Sequence, residues 1–284
     1  MSYKIDQLFF NNETDFLILR KLLSAVYPDK MEQFSRERIF WQYCGNPAGK
    51  VISFNAFHNG ELVAHYACLP IYLKIGGKII KGLLDINTAT HPNHRGKGLF
   101  VKLAKTTFEY AKLNGYEFVL GVANENSIHG YLKYLNFYFI EKLQVKVGLG
   151  ANIMPSDISN KYTVFWNKEL LEWRLDSTIY SKSKNAIYGK TKFLGIRNIL
   201  GIKTLMGCFD SKIIRILNTK RSLNICRPIN LYIGLGANLN FTYFKVPSFI
   251  KRSPFNLIFL DLNGSLPKMN KHNIFFQLID FDVA

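Results

Sequence analysis

The run His91-Pro92-Asn93-His94-Arg95-Gly96-Lys97-Gly98-Leu99-Phe100 is the stretch of this chain best equipped for chemistry. It lies between a strand-like run and a long helical pattern. Its two glycines permit a turn whose backbone N–H groups all face one anion, as helix N-termini do when they bind phosphate. Two familiar phosphate motifs are excluded by single residues. A dinucleotide fingerprint needs a third glycine where Val101 stands, and a P-loop needs Ser or Thr after Gly-Lys, where Gly98 stands. Cys44, Cys68, Cys208 and Cys226 show neither C-x-x-C spacing nor His partners at metal-finger distance, so no metal site and no disulfide framework is suggested, and a reducing compartment is expected. Near the C-terminus, Asp280 and Asp282 alternate with Ile279, Phe281 and Val283. A strand there puts both carboxylates on one face, able to grip an amine or simply to face solvent.

The elements that must position the loop follow from periodicity. Phe16, Leu19, Leu22, Leu23 and Val26 recur at helical spacing and stop at Pro28, and a second helix is expected over 33–43. Strands at 51–58, 62–75 and 78–90 are joined by Asn59-Gly60 and Gly76-Gly77, both strong hairpin dipeptides. A helix over 98–113 follows directly, carrying Phe100, Leu103, Ala104, Thr107, Phe108 and Ala111 on one face and ending at Asn114-Gly115. A strand at 118–122, a short helix at 127–135 and a strand at 137–147 complete the order ααβββαβαβ. Gly148, Gly150 and Pro155 then break any regular element, dividing the chain into residues 1–150 and 151–284. In the second part a helix carrying Trp173 precedes a strand near 186–189, echoing the helix carrying Trp41 before the strand at 51. Gly148-Leu149-Gly150-Ala151-Asn152 recurs as Gly234-Leu235-Gly236-Ala237-Asn238, as a worn internal repeat would. Strands at 257–260 and 274–283 close the chain.

With 284 residues, 48% hydrophobic and 20% charged, the chain is long enough for about two domains and far from the composition of disorder. Lys and Arg number 37 against 20 Asp and Glu, a net +17 that draws in anions such as nucleic acid, acidic lipid or phosphorylated small molecules. The bland reading is a surface rich in scattered lysines. The N-terminus carries Asp6 where a signal peptide wants positive charge, and no window reaches 18 uninterrupted apolar residues, so a soluble cytoplasmic protein is expected.

Pro92-x-x-Arg95-Gly96-x-Gly98-Leu99, after a β meander and before a long helix, resembles the pyrophosphate loop of the GCN5-related N-acetyltransferase (GNAT) superfamily. Downstream, Asn124-x-x-Ser127-x-x-x-Tyr131 and Tyr134-Leu135-Asn136-Phe137 are similar to its second signature. Asn93 stands where Gln or Arg is commoner, Asn136 replaces the usual Gly, and the Tyr-to-Phe spacing is longer by one, which leaves Tyr131 and Tyr134 competing for one role. The resemblance covers residues 1 to about 148. It implies an α/β (α+β) fold: a mixed, mostly antiparallel sheet flanked by helices, with the second lobe a degenerate copy of the first that lacks the phosphate loop.

The resemblance further implies an acyl-CoA co-substrate, acetyl-CoA or one with a slightly larger acyl group such as hydroxybutanoyl, and no metal. The pyrophosphate would sit on the amides of Gly96, Lys97, Gly98, Leu99 and Phe100, with Arg95 and Lys97 adding charge. The pantetheine arm would pair with the backbone of Thr88, Ala89 and Thr90 like an added strand, and Asn124 would contact its amides. A strand N–H would hold the thioester oxyanion during direct attack, and Tyr131 or Tyr134 would protonate the departing thiolate. A base for the acceptor amine could be Asp85, His129 or Glu125. Each also has an ordinary reading, as an edge charge, a surface residue and a helix-start carboxylate.

The length, the degenerate second half and the acidic tail are similar to two-lobed members that acylate amino sugars carried on nucleoside diphosphates for surface polysaccharides, and a dTDP-linked 3-amino-3,6-dideoxyhexose is the acceptor expected. Donor and acceptor would both bring diphosphates to a basic protein, and Trp166, Trp173 or Tyr188 could stack on the base or merely pack the core. Transfer to protein amines or to small-molecule amines such as aminoglycosides is the alternative enzyme reading, although a +17 protein repels polycations. A basic module for nucleic acid or anionic membrane is the non-enzyme alternative. Lys220-Arg221 and Lys251-Arg252 are only isolated basic pairs, so neither nucleic acid nor membrane insertion is expected.

Overall fold

Side-chain caps mark where four helices start. Asn12 accepts from the Asp15 amide, Ser35 from Arg38, Asn124 from Asn126 and Ser127, and Asn167 from Leu170, each satisfying an N–H with no partner inside its helix. The computed structural model describes residues 2–149, 153–155, 161–175, 183–188, 192–199, 202–210, 229–239, 241–247 and 254–281. Its first part runs β1 (Lys4–Gln7), α1 (Glu13–Val26), α2 (Arg36–Tyr43), β2 (Ile52–His58), β3 (Glu61–Ile75), β4 (Lys78–Thr90), α3 (Leu99–Leu113), β5 (Phe118–Ala123), α4 (Glu125–Tyr134), β6 (Tyr138–Lys142) and β7 (Gln144–Leu149). The rest runs β8 (Ile153–Pro155), β9 (Tyr162–Val164), α5 (Lys168–Arg174), β10 (Ser183–Tyr188), β11 (Lys192–Ile199), β12 (Ile202–Asp210), β13 (Ile229–Leu235), β14 (Ala237–Leu239), β15 (Phe244–Lys245), β16 (Asn256–Asp261) and β17 (Ile274–Gln277).

The expected ααβββαβαβ order is present, with β1 added in front. That strand has no fully buried residue, so it carries no hydrophobic alternation and forms because β2 offers it an edge. The strand expected over 137–147 is two strands. Leu143 turns inward, its amide donating to the Phe255 carbonyl at 2.8 Å, and the chain changes partner there: β6 pairs with β16 and β7 with β13.

One sheet runs β10-β11-β12-β13-β17-β9-β3-β4-β5-β16-β6, with β8 and β14 pairing separately. Its pairings are mostly antiparallel, the parallel ones being β4 with β5, β12 with β13 and β9 with β17. The chain passes the boundary expected at residue 150 and then returns, because β16 lies antiparallel between β5 and β6. The first copy of the repeated Gly-Leu-Gly-Ala-Asn lies partly outside the described residues, as do Cys226, Lys220-Arg221, Lys251-Arg252 and Asp282. Cys44 and Cys68 are free thiols, and among the described residues no helix is long and apolar enough to cross a membrane.

Each face of the sheet has its own core. Leu99, Leu103, Ala104, Phe108 and Ala111 of α3 pack on Val63, Tyr66, Leu83, Val119 and Ile258. On the opposite face Leu19, Leu22, Leu23 and Ile39 of α1 and α2 share a core with Leu69, Leu84, Leu120, Phe259 and Phe276. Trp41 of α2 and Trp173 of α5 stack at 4.9 Å between ring centres, each indole N–H donating to the other's carbonyl.

The C-terminal strand expected over 274–283 stops at Gln277, and a 3-10 turn over Leu278–Asp280 follows. Asp280 therefore neither alternates on a strand face nor meets solvent. It is buried, accepting from the Trp166 indole at 2.8 Å and the Gln277 amide at 2.7 Å. Burial pushes its carboxyl up to about 7, against the opposing pull of those two donors and of the Arg174 charge. A carboxyl whose folded value lies above the ordinary 3.8 binds its proton more tightly folded than unfolded, so stability is full at low pH and falls as pH rises toward about 7. The loss is on the order of 4 kcal/mol over that window. Thermal melts are expected to show a falling Tm from pH 5 to pH 8, with a flatter slope in Asp280→Asn. An equal slope in both proteins would remove Asp280 as the cause.

Candidate active site

The parallel pair β4–β5 lasts three residues, Gly82 opposite Phe118 to Leu84 opposite Leu120, and then splays. Gly82 permits the pairing, since a Cβ there would come within 2.3 Å of the Phe118 ring. Beyond Leu84, β4 keeps its partner β3 but loses β5, and β5 keeps β16. The splay is widened by a bulge, with the β3–β4 register shifting near Asn87, whose φ of 46° lies in the left-handed region. A cavity of about 840 Å³ fills the opening and passes from one face of the sheet to the other. Its walls include the bulged edge from Asp85 to Thr90, Arg95 and Phe100 of the loop, Asn124 and Tyr131 at α4, and Tyr27, Arg38 and Gln42 from the first two helices.

The loop leaves backbone amides without acceptors. Pro92–His94 forms a 3-10 turn capped by His91, Arg95 is extended, and Gly96 and Gly98 have φ of 71° and 72°. Gly98 is the N-cap of α3 and carries no side chain, so the first-turn amides at Leu99, Phe100 and Val101 have no capping acceptor. A Cβ at either glycine would meet nothing within 4 Å, so these glycines serve backbone conformation and open approach rather than packing. Uncapped amides and open space beside two basic side chains fit a diphosphate. Arg95 is steadied by its Nε donating to the Thr90 carbonyl at 3.3 Å.

The structure brings Asp85 and Tyr131 together. Tyr131 of α4 is buried between Phe100 and Phe137, whose rings meet it edge-on at 5.1 Å, and its hydroxyl donates to Asp85 Oδ2. Thr88 Oγ1 donates to Asp85 Oδ1 at 3.2 Å. Burial raises the Asp85 carboxyl to about 6, while Tyr131, Tyr66 and Thr88 pull the other way. The buried Tyr66 hydroxyl makes no hydrogen bond. The Tyr131 hydroxyl is held well above the usual phenol range by burial and by the adjacent carboxylate. Phe100 reaches Tyr131 because Gly130 is bare: a Cβ there would lie 2.9 Å from the Phe100 ring.

The other sequence candidates lie elsewhere. Tyr134 is 48% exposed and meets exposed His129 edge-on at 6.2 Å, on the side of α4 away from the cavity. Glu125 opens onto a different cavity. Trp173 stacks on Trp41 and Trp166 donates its indole N–H to Asp280, neither of them lining the splay cavity, and the Tyr188 side chain lies outside the described residues. Asn124 lines the cavity, with its oxygen spent on capping α4. Of the strand edge proposed for a ligand, the Thr88 carbonyl is already taken by the Tyr27 hydroxyl at 2.8 Å. Asn136 has φ of 58°, the left-handed conformation for which glycine is usual and Asn the commonest substitute.

A polar chain behind the bulge escaped sequence reasoning. Asn87 Nδ2 donates to Gln42 at 2.6 Å and to the Tyr43 hydroxyl at 3.2 Å. Tyr43 meets buried His65 Nε2 at 2.8 Å, and His65 Nδ1 meets Asn55 at 2.6 Å. Burial lowers His65 to about 3, so it stays neutral and ties α2 to the bulge without titrating. An Asn in mid-strand at 87 was the available signal, since Asn marks a bulge better than a ladder position.

The family model of the acetyltransferase (GNAT) domain matches residues 11–134. No curated protein matches the chain in sequence. Among solved structures, a probable N-acyltransferase from Enterococcus faecalis V583, described as a conserved protein of unknown function, superposes with a TM-score of 0.62 at 10% identity, over 92% of this chain and 73% of its own. A GCN5-related N-acetyltransferase from Kribbella flavida gives 0.58 at 9% identity over 92% and 72%, and Eis1 from Mycobacterium abscessus gives 0.57 at 10% over 91% and 74%. At such identities these likenesses establish the fold, and they extend over both halves of the chain. Residues 11–134, with the splayed parallel pair and the glycine loop, carry an acetyltransferase domain of the GCN5-related (GNAT) family.

Proposed function

We propose that the protein transfers an acyl group from a coenzyme A thioester to the amine of a nucleotide-linked amino sugar, with a dTDP-linked 3-amino-3,6-dideoxyhexose as the specific acceptor, in surface polysaccharide assembly. The observation that carries the transferase reading is the pairing of Tyr131 with Asp85 in the splay, one loop away from an uncapped helix N-terminus. Gly96, Lys97, Gly98, Leu99 and Phe100 hold the diphosphate, and the edge at Ala89 and Thr90 lies alongside the pantetheine arm. The neutral amine attacks the thioester carbonyl directly. The new C–N bond forms as the C–S bond breaks, the amine's proton passes to Asp85, and Tyr131 gives its own proton to the departing sulfur and regains one from Asp85. Asp85, near 6, is ionised at neutral pH and able to accept that proton.

The second lobe is read as a degenerate GNAT-like unit over about 151–284 that walls the acceptor side. Its order of α5, the meander β10-β11-β12 and a parallel β13 repeats that of α2, β2-β3-β4 and β5, which supports a duplication. Thiol release from acetyl-CoA, followed with free amino sugars and with their dTDP-linked forms, tests the proposal. The nucleotide-linked amine is expected to give the higher kcat/KM by at least about tenfold, the worth of one good charged contact. Equal rates with free sugars or with peptide amines would overturn the acceptor assignment.

A further inference from the structure

A second cavity, of about 1060 Å³, lies across the carboxyl end of β5 from the first and has no place in the reaction derived above. Lys142, Lys146, Lys161, Lys245, Lys271 and His272 line it, against two carboxylates, Glu125 and Glu141. Glu141 is engaged by Lys271 at 3.6 Å. Among the described residues, no carboxylate comes within ion-pair distance of Lys142, Lys146 or Lys245. Lys146 and Lys245 stand directly opposite each other on the antiparallel pair β7–β15. Like charges so placed oppose the pairing of their strands unless an anion sits between them. The position also connects with the active site: Asn256 pairs with Ala123 on one side and with Lys142 on the other, and Asn124 lines the first cavity while Glu125 lines the second.

The geometry points to a diphosphate-binding site in this cavity, held by Lys142, Lys146 and Lys245, that receives the anionic part of the acceptor while its amine enters the splay. The assignment of the ligand to the acceptor rests on the function proposed above; the site itself rests on the opposed lysines. A concave volume of this size suits a nucleotide-sized ligand rather than a nucleic-acid duplex or a membrane surface.

Inorganic pyrophosphate and thymidine diphosphate are the probes, titrated calorimetrically into the full chain carrying Gly98→Asp so that the loop at α3 does not compete. Saturable binding is expected, weakening as salt is raised. Lys245→Glu should cut that affinity at least tenfold while raising Tm, since it turns a repulsive cross-strand pair into an attractive one. Lys146→Ala should weaken binding likewise without adding a carboxylate. Binding that disappears with Gly98→Asp alone, or that survives both lysine substitutions, overturns the site. Intact pyrophosphate binding with equal turnover of free and nucleotide-linked amino sugars would overturn the acceptor assignment and leave the site standing. Faster turnover of the nucleotide-linked acceptor with an unchanged KM in Lys245→Glu would overturn the site and leave the acceptor.

Discussion

Tyr131→Phe is expected to lower kcat about a hundredfold, within the range for loss of a positioned general acid, while the affinity for acetyl-CoA stays within about twofold. The ring survives the change and keeps its edge contacts with Phe100 and Phe137, so the substitution removes one hydroxyl and little packing. Its pH signature separates a chemical role from a structural one. The Tyr131 hydroxyl holds the Asp85 carboxyl below where burial alone would put it. Removing that donor therefore raises Asp85 above about 6, and the residual activity should show its acidic limb displaced to higher pH. A variant with native kcat and a native limb would exclude Tyr131 as the acid. Tyr134→Phe, altering an exposed residue on the other side of α4, should change neither.

Gly98→Asp should weaken acetyl-CoA binding by about a hundredfold or more, equivalent to roughly 3 kcal/mol. The new Cβ meets no atom within 4 Å, so the added carbon by itself does not clash. With φ at 72° the backbone imposes a strain of about 1 kcal/mol or slightly more on any residue with a Cβ. The remainder is electrostatic: a carboxylate beside the uncapped α3 amides occupies the place proposed for phosphate and repels it, at about 4 kcal/mol for unit charges 4 Å apart near a protein surface before salt screening. Gly98→Ala carries the strain without the charge, so it should lose about tenfold or less, and the ratio of the two isolates the charge. Native affinity for acetyl-CoA in Gly98→Asp would mean that the donor binds elsewhere.

Much of the first lobe was legible because its signals are local. Pro28, Asn59-Gly60, Gly76-Gly77 and Asn114-Gly115 punctuate elements with the right periods between them, and the glycine loop is a contiguous motif whose conformation depends mainly on its own two left-handed residues. The C-terminal tail misled because alternation of Asp and apolar residues reads as a strand. What ends that strand at Gln277 is the burial of Asp280 against Trp166, a residue more than a hundred positions away.

Local patterns along the chain set the helices, the meander, the left-handed turns at Gly96 and Gly98, and the set of ionisable side chains from which a site could be drawn. Tertiary structure decided which of them meet. Tyr131 and Tyr134 are three residues apart on one short helix, yet one is buried against Asp85 and the other faces solvent, because the splay of β4 from β5 admits only one face of α4. The insertion of β16 between β5 and β6, and the opposition of Lys146 to Lys245, are likewise properties of strand pairing. Pairing is set by the cores that the two sheet faces bury together, and those cores join residues too far apart along the chain for any local pattern to connect them.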